Sequence, residues 1–156
     1  MRVRASEAEI DRPTPAQKDA LGDFTALLYS DTGGLTQFGA FTETLQPGAK
    51  SSHRHWHEKE DEFLYMLKGE ATLIDDDGEH VLAPGDACCW KAGVANGHHI
   101  TNTSDQPCTY LIVGSRLATD TVHYSDIDKI LIRENGERRL TRRDGTPFDP
   151  NTGDNQ

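Results

Sequence analysis

The sequence lacks several features that would place it in a special class of protein. It has no run of about 20 apolar residues, so no transmembrane helix is expected. Its first residues lack the apolar stretch of a secretory signal. Only three cysteines are present, and Cys88 and Cys89 are adjacent and cannot readily pair with each other. The absence of a disulfide framework predicts a reducing, cytoplasmic location.

Basic residues are also scarce, with 16 Lys and Arg against 26 Asp and Glu, which gives a net charge of −10. Since nucleic-acid binding requires neutralisation of phosphates, a nucleic-acid partner is not expected. The exception is Lys129–Arg143, where six basic residues face two acidic ones. Two interpretations stay open for this stretch: a solvated hairpin around Asn135 and Gly136, or an anion-binding edge near the mouth of a site.

Helical periodicity is almost absent from the chain, and short β-prone segments alternate with turn signals instead. Two interpretations stay open near the N-terminus: one short helix at Pro15–Leu21, or a simple arm. Eleven strand candidates are predicted at 24–29, 36–45, 53–57, 62–67, 70–74, 79–82, 87–91, 98–102, 108–113 and, as a final hairpin, 129–132 with 138–141. Short strands at this spacing predict an all-β fold, an antiparallel sandwich or barrel, and 156 residues suffice for one domain.

The densest chemical signal lies in the segment SSHRHWHEKEDEFLYMLKG, residues 51–69. His53, His55 and His57 alternate with other residues, so an extended chain would place the three imidazoles on one face. Glu62 follows at the start of an apolar run. Histidine and carboxylate side chains held together on a strand indicate a metal site.

A second segment, PGDACCWKAGVANGHHITN, supplies His98 and His99 on a strand candidate. Neighbouring strand residues face opposite ways, so only one of the two imidazoles can point inward. If His98 points inward, Asn102 lies on the same face.

Together the two segments resemble the paired motifs of the cupin superfamily. The first motif corresponds to His55-Trp56-His57, then Glu62 and Gly69, and the second runs from Gly85 through His98 to Asn102. The resemblance covers roughly residues 35–116. It implies a cupin-type antiparallel β-barrel, a double-stranded β-helix or jelly roll, at 23–118. An N-terminal arm would occupy 1–22, and an extension with a hairpin and a flexible tail would occupy 119–156.

The resemblance also implies a ligand set for one divalent transition metal, Zn, Mn, Fe, Co or Ni, that consists of His55, His57, Glu62 and His98. Such a site keeps positions open for water or substrate. Further residues are expected in the cavity or around the ligands, and they are His53, Asn102, Trp90 and Tyr65. The catalytic residues stay unknown, with His53 and Tyr65 as candidates for a base.

The chain is most similar to small bacterial cupins loosely labelled sugar-phosphate isomerases, which implies an enzyme acting on a small polar metabolite. Two alternatives stay open: an iron-dependent dioxygenase, and a cupin that binds a small-molecule ligand without turnover. No membrane partner is expected. Exposed edges of a short open barrel predict a homodimer.

Overall fold

Strands dominate the part of the chain that the structure, a computed structural model, describes, which is residues 1–149. The described residues contain two short helices, α1 (Pro15–Leu21) and α2 (Tyr29–Thr32). They contain thirteen strands: β1 (Glu9–Asp11), β2 (Phe24–Leu28), β3 (Phe38–Leu45), β4 (His55–His57), β5 (Glu62–Lys68), β6 (Ala71–Asp75), β7 (Gly78–Leu82), β8 (Ala87–Trp90), β9 (His99–Thr101), β10 (Cys108–Ser115), β11 (Thr119–Tyr124), β12 (Ile130–Glu134) and β13 (Glu137–Thr141). The prediction of an all-β fold is confirmed.

The strands form three antiparallel sheets. A six-stranded sheet has the order β1-β2-β3-β10-β5-β8, a four-stranded sheet the order β13-β12-β11-β4, and a three-stranded sheet the order β7-β6-β9. The neighbours β3 and β10, and β10 and β5, are far apart in sequence, so the sheets are built by crossovers rather than by successive hairpins alone. This topology brings distant segments of the chain into register.

The core lies against the inner face of the six-stranded sheet. On β5, Leu64 and Met66 are fully buried while Phe63 and Tyr65 are exposed, because successive side chains of a strand point to opposite faces. Tyr110 on β10 is fully buried beside them. Each large apolar side chain removed from water contributes roughly 1.5–3 kcal/mol, so these rows supply much of the driving force for folding.

Helix α1 has the predicted bounds, and its ends explain them. Thr14 accepts a hydrogen bond from the backbone N–H of Gln17, whose side chain accepts in return from the backbone N–H of Thr14, and Pro15 occupies the first helical position. The helix ends at Gly22, which has a φ of 86°. The remainder of the predicted arm is tied down as well, since β1 pairs with β2 at the sheet edge.

The C-terminal region contributes more to the fold than the sequence predicted. The predicted hairpin is present as β12 and β13, with Asn135 and Gly136 at positive φ in its turn. It was expected to lie outside the barrel, but β12 pairs with β11 and β11 pairs with β4, so it continues a main sheet. The predicted flexible tail differs too, because Phe148 is buried and Pro147 bridges to Thr141. The remainder of that tail, 150–156, lies outside the described residues.

Neither described helix could cross a bilayer, since the two have only seven and four residues.

Candidate metal centre

Four side chains from separate parts of the fold converge at the junction of the three sheets. The Oε2 atom of Glu62 lies 3.1 Å from Nε2 of His98, 3.6 Å from Nε2 of His57 and 3.9 Å from Nε2 of His55. His55 and His57 stand on β4, and Glu62 begins β5. His98 precedes β9 and exchanges two backbone hydrogen bonds with His55, of 3.0 and 3.1 Å, which brings the second segment against the first.

The outward nitrogen of each of these imidazoles is already bonded. His57 Nδ1 lies 2.6 Å from Oδ2 of Asp120, His55 Nδ1 lies 3.0 Å from the carbonyl of His53, and His98 Nδ1 lies 3.2 Å from the carbonyl of Asn96. A carbonyl oxygen only accepts, so a neutral imidazole bonded this way carries its proton on Nδ1. For His55 and His57 this leaves a lone pair on Nε2, which is the tautomer that a metal ligand needs. Nε2 of His98 instead donates a hydrogen bond to Oε2 of Glu62 at 3.1 Å, and a metal ion would take the place of that proton.

A buried ionic network contacts His57 at Nδ1, on the side of the ring that faces away from Glu62. Asp120 is fully buried, and its Oδ1 atom also accepts from the backbone N–H of Lys59. Beside it Glu60, buried as well, binds Nη2 of Arg133 at 2.7 Å and the backbone N–H of Leu117. A carboxylate on the second nitrogen of a histidine ligand fixes its orientation and raises its basicity. Asp120 was not predicted from the sequence, because it lies 63 residues from His57 along the chain and no local pattern connects the two.

The donor set fits a divalent transition metal. An ion that binds its donors at about 2.0–2.2 Å keeps neighbouring donors roughly 3–3.5 Å apart, close to the spacings around Glu62. Donor atoms of His55, Glu62 and His98 lie within 4.8 Å of one another. A second group, His57, Glu60 and Asp120, also meets this criterion. Its two carboxylates face the Arg133 guanidinium, however, and this cation already offsets one of their two charges.

Burial and charge tune two of the donors toward their metal-binding forms. Burial, with the neighbouring histidines, lowers the pKa of His55 to about 4. For Glu62, burial acts to raise the pKa, but the hydrogen bond from His98 and the charges of His57 and His55 outweigh it and lower the pKa to about 2. At neutral pH the imidazole of His55 is therefore neutral and Glu62 is a carboxylate, the forms that bind a metal ion.

Three cavities meet at Glu62. The first, of about 180 Å³, is lined by His57, His98, Trp90 and Lys91 among others. The second, of about 210 Å³, contains His55, His98 and Glu43, and the third, of about 260 Å³, contains His57 and three arginines. These volumes lie below the roughly 300–1,000 Å³ of pockets for drug-sized ligands. The space around the donors therefore suits a small metabolite.

Glu43 is a further buried carboxyl group that was not predicted from the sequence. It stands on the inner face of β3, directly opposite Tyr110 of β10, whose hydroxyl donates a hydrogen bond to its Oε2. Burial, together with the charge of Asp11, raises the pKa of Glu43 to about 7. The available signal was its position in the strand, two residues from Phe41 and two from Leu45, which places a carboxylate on the inward face.

The remaining predicted site residues lie in different parts of the structure. Trp90 stacks on the His98 ring at 4.0 Å and lines two of the cavities. Asn102 is fully buried, but its amide binds the carbonyls of Leu45 and Gln106 and so holds a loop. Tyr65 is exposed on the outer face of β5, because it is three residues from Glu62 and strand side chains alternate.

His53 does not share a face with His55 and His57, because strand β4 begins only at His55 and the preceding chain bends. Its carbonyl orients His55, while its ring lines a separate cavity with Tyr124 and Lys129. His99, the neighbour of His98, bonds through Nδ1 to the carbonyl of Ser52 at 2.9 Å. The structure thus brings His55, His57, Glu62 and His98 together and leaves His53, Tyr65 and Asn102 in other surroundings.

Comparison with known proteins places these features in context. Residues 41–114 match the family model of the cupin domain. A crystal structure from Silicibacter pomeroyi DSS-3, named a sugar phosphate isomerase from a cupin superfamily, is 38% identical with a TM-score of 0.88 and covers 96% of this chain and 98% of its own. No match was found among curated proteins.

Two further solved structures are similar over most of the chain. A provisionally named sugar phosphate isomerase from Acidithiobacillus ferrooxidans is 30% identical with a TM-score of 0.75, over 81% of each chain. A predicted oxalate decarboxylase from Thermotoga maritima is 27% identical with a TM-score of 0.61, over 75% of this chain and 100% of that one. The same fold, at sequence identities of 27–38%, is therefore shared by proteins with different names.

Proposed function

Because this chain belongs to the cupin superfamily, we propose that it is a metal-dependent enzyme that isomerises a small polar metabolite of the sugar or sugar-phosphate class. The observation that supports this proposal is the convergence of three imidazole Nε2 atoms and one carboxylate at the meeting point of three cavities. A closed structural site would have no such space around its donors. The names of the two relatives from Silicibacter pomeroyi and Acidithiobacillus ferrooxidans agree with it.

We propose that His55, His57, Glu62 and His98 hold the ion. A bound divalent ion would polarise a substrate oxygen as a Lewis acid. Trp90 covers the His98 ring and keeps it in place, and Asp120 does the same for His57 from the other side. The protein thereby presents preformed donors and excludes water from the back of the centre.

Glu43 is the group that we propose to move the proton in this reaction. It lines the 210 Å³ cavity together with His55, His98 and Glu62, so a ligand at the donors is also next to this carboxyl. A pKa near 7 lets a carboxyl both take and return a proton at neutral pH. Isomerisation needs this sequence, since a proton leaves one carbon atom and returns to its neighbour. The Tyr110 hydroxyl orients the carboxyl throughout.

Metal analysis and proton exchange test this proposal. Protein purified without a histidine tag is expected to contain about one transition-metal ion per chain by elemental analysis. Incubated in D₂O with a panel of sugars and sugar phosphates, the loaded protein should incorporate carbon-bound deuterium into one of them, and a chelator should stop the exchange. Binding without exchange would instead support a ligand-binding cupin, and oxygen uptake would support a dioxygenase.

We further propose that the chain forms a homodimer through the outer face of the six-stranded sheet. Phe63, Tyr65 and Leu67 are exposed side by side on β5, and Phe38 is exposed on β3 of the same sheet. A patch of large apolar side chains is typical of an interface. Light scattering at micromolar concentration should give twice the chain mass, and Tyr65→Glu should reduce it to that of one chain. A monomeric wild-type protein would contradict the proposal.

A further inference from the structure

Three arginines surround the largest of the cavities at the candidate centre. Arg116 follows β10, Arg133 stands on β12 and Arg138 on β13, and all three line the 260 Å³ cavity that also contains His57 and Glu62. We propose that these guanidinium groups bind the phosphate group of the substrate. This inference rests on the proposed function, and it narrows the substrate from any small polar metabolite to a phosphorylated one.

Two arginines with like charges face each other across the hairpin of β12 and β13. Arg133 and Arg138 are direct partners in the register of β12 and β13. Side chains directly opposite on antiparallel strands have Cβ atoms roughly 4.5–5.5 Å apart, and like charges there are destabilising. Among the described residues Arg138 has no ion pair of its own. Since Glu60 and Asp120 already offset the charge of Arg133, the uncompensated charge of the pair lies on Arg138, and an anion held between the two side chains would offset it.

The arginines of this cavity have more hydrogen-bond donors than acceptors within the protein. The Nε atom of Arg133 is buried and has no acceptor among residues 1–149, while Nη2 of the same guanidinium is bound to Glu60. Buried donors of this kind are rare, because leaving one unpaired costs about 1–3 kcal/mol. Arg116 uses Nη2 for Asp31, and a guanidinium has five N–H donors in all. Donors therefore remain for the oxygen atoms of a phosphate, which arginine binds in bidentate fashion.

Two glycines leave free space beside Glu62. In the register of the six-stranded sheet, Gly39 of β3 and Gly114 of β10 stand in one row with Glu62 of β5. A β-carbon at Gly39 would lie 3.1 Å from Nε and 3.2 Å from Nη2 of Arg116, so the guanidinium lies close over the bare backbone. Two glycines thus leave room between the arginines and the metal donors, and one small molecule can reach both.

Titration of inorganic phosphate tests the subsite. Metal-free full-length protein is used, so that coordination to an ion does not contribute, and binding is followed by calorimetry. Arg138→Gln and Arg116→Gln should each weaken phosphate binding by about tenfold, the value of one charge-assisted hydrogen bond. The matched control is Arg139→Gln, which removes the same charge from the same strand at the neighbouring position, where the side chain approaches Glu134 instead. It should change affinity by less than about twofold.

The outcomes separate this inference from the proposed function. Equal weakening in all three variants, or no phosphate binding by the metal-free wild type, would overturn the subsite. Acetate binding as tightly as phosphate would also overturn it, in favour of a carboxylate site. Metal content and deuterium exchange are measured independently. If the protein contains its metal ion and catalyses deuterium exchange, but its phosphate affinity is unchanged by Arg138→Gln, the proposed function stands without the subsite. If phosphate binding depends on Arg138 but metal and exchange are absent, the subsite stands alone.

Discussion

His98→Ala is expected to abolish stoichiometric metal binding, with the apparent affinity reduced by at least about 100-fold. Its Nε2 atom is the donor nearest to Glu62, at 3.1 Å. Loss of residues that only support a metal ligand typically costs 10–100-fold in affinity, so loss of a ligand should cost more. Elemental analysis after dialysis and titration with Zn²⁺ or Mn²⁺ provide the measurement. His55→Ala should behave alike, because it removes another of the converging Nε2 atoms.

His99→Ala is the matched control for this prediction. The two histidines are adjacent and both buried, but His99 bonds to the carbonyl of Ser52 rather than facing Glu62. Its replacement should change metal affinity by less than about tenfold, the lower end of the cost of losing a supporting residue. The reverse order of the two variants would show that His99 is the ligand. Full metal content in both His98→Ala and His55→Ala would refute the proposed centre.

Glu43→Gln is expected to reduce turnover by about 10²–10⁴-fold while leaving metal content unchanged. The substitution keeps the size of the side chain and an acceptor for the Tyr110 hydroxyl, but the amide cannot take a proton. General acid–base catalysis by a positioned group contributes a factor of this order. The measurement is the rate of deuterium incorporation from D₂O, with the metal content determined on the same samples. Unchanged exchange in a variant that retains its metal would exclude Glu43 as the proton-transfer group.

The same substitution should make the protein more stable at alkaline pH. Burial raises the pKa of Glu43 from 4.5 to about 7. Between these values the unfolded chain has lost the proton and the folded protein still holds it, so the free energy of unfolding falls as pH rises through this range. Glu43→Gln removes that loss, and its stability should lie within about 1 kcal/mol of the wild type at pH 5 and exceed it by about 3 kcal/mol at pH 8. Urea denaturation at the two pH values measures the difference.

An equal effect of Glu43→Gln at pH 5 and pH 8 would contradict this account, since it would mean that ionisation of the carboxyl is not costly in the folded state. Stabilisation at pH 8 together with loss of turnover is the combination expected of a carboxyl that is buried for function.

The amino-acid sequence by itself determined most of the strands and the first motif. One of the two alternatives for the N-terminal segment, a helix at Pro15–Leu21, has the observed bounds, and the capping residues Thr14 and Gln17 that fix its start are local in sequence. The alternating strands and turn glycines led to the all-β prediction, and the His-x-His and Glu spacing led to the cupin resemblance, which is confirmed together with the jelly-roll class. The ligand assignments, the domain boundaries and the cytoplasmic location stay predictions.

Only the tertiary structure decided which side chains surround the centre. Asp120 and Arg133 reach His57 because β11 and β12 join the sheet of β4, a pairing between segments more than 60 residues apart that no local pattern encodes. Tyr65 was assigned to the cavity although strand alternation relative to Glu62 puts it outside, and β11 was not predicted at all. Local spacing specifies which face a residue takes within its own strand, whereas contacts between strands depend on the topology of the folded chain.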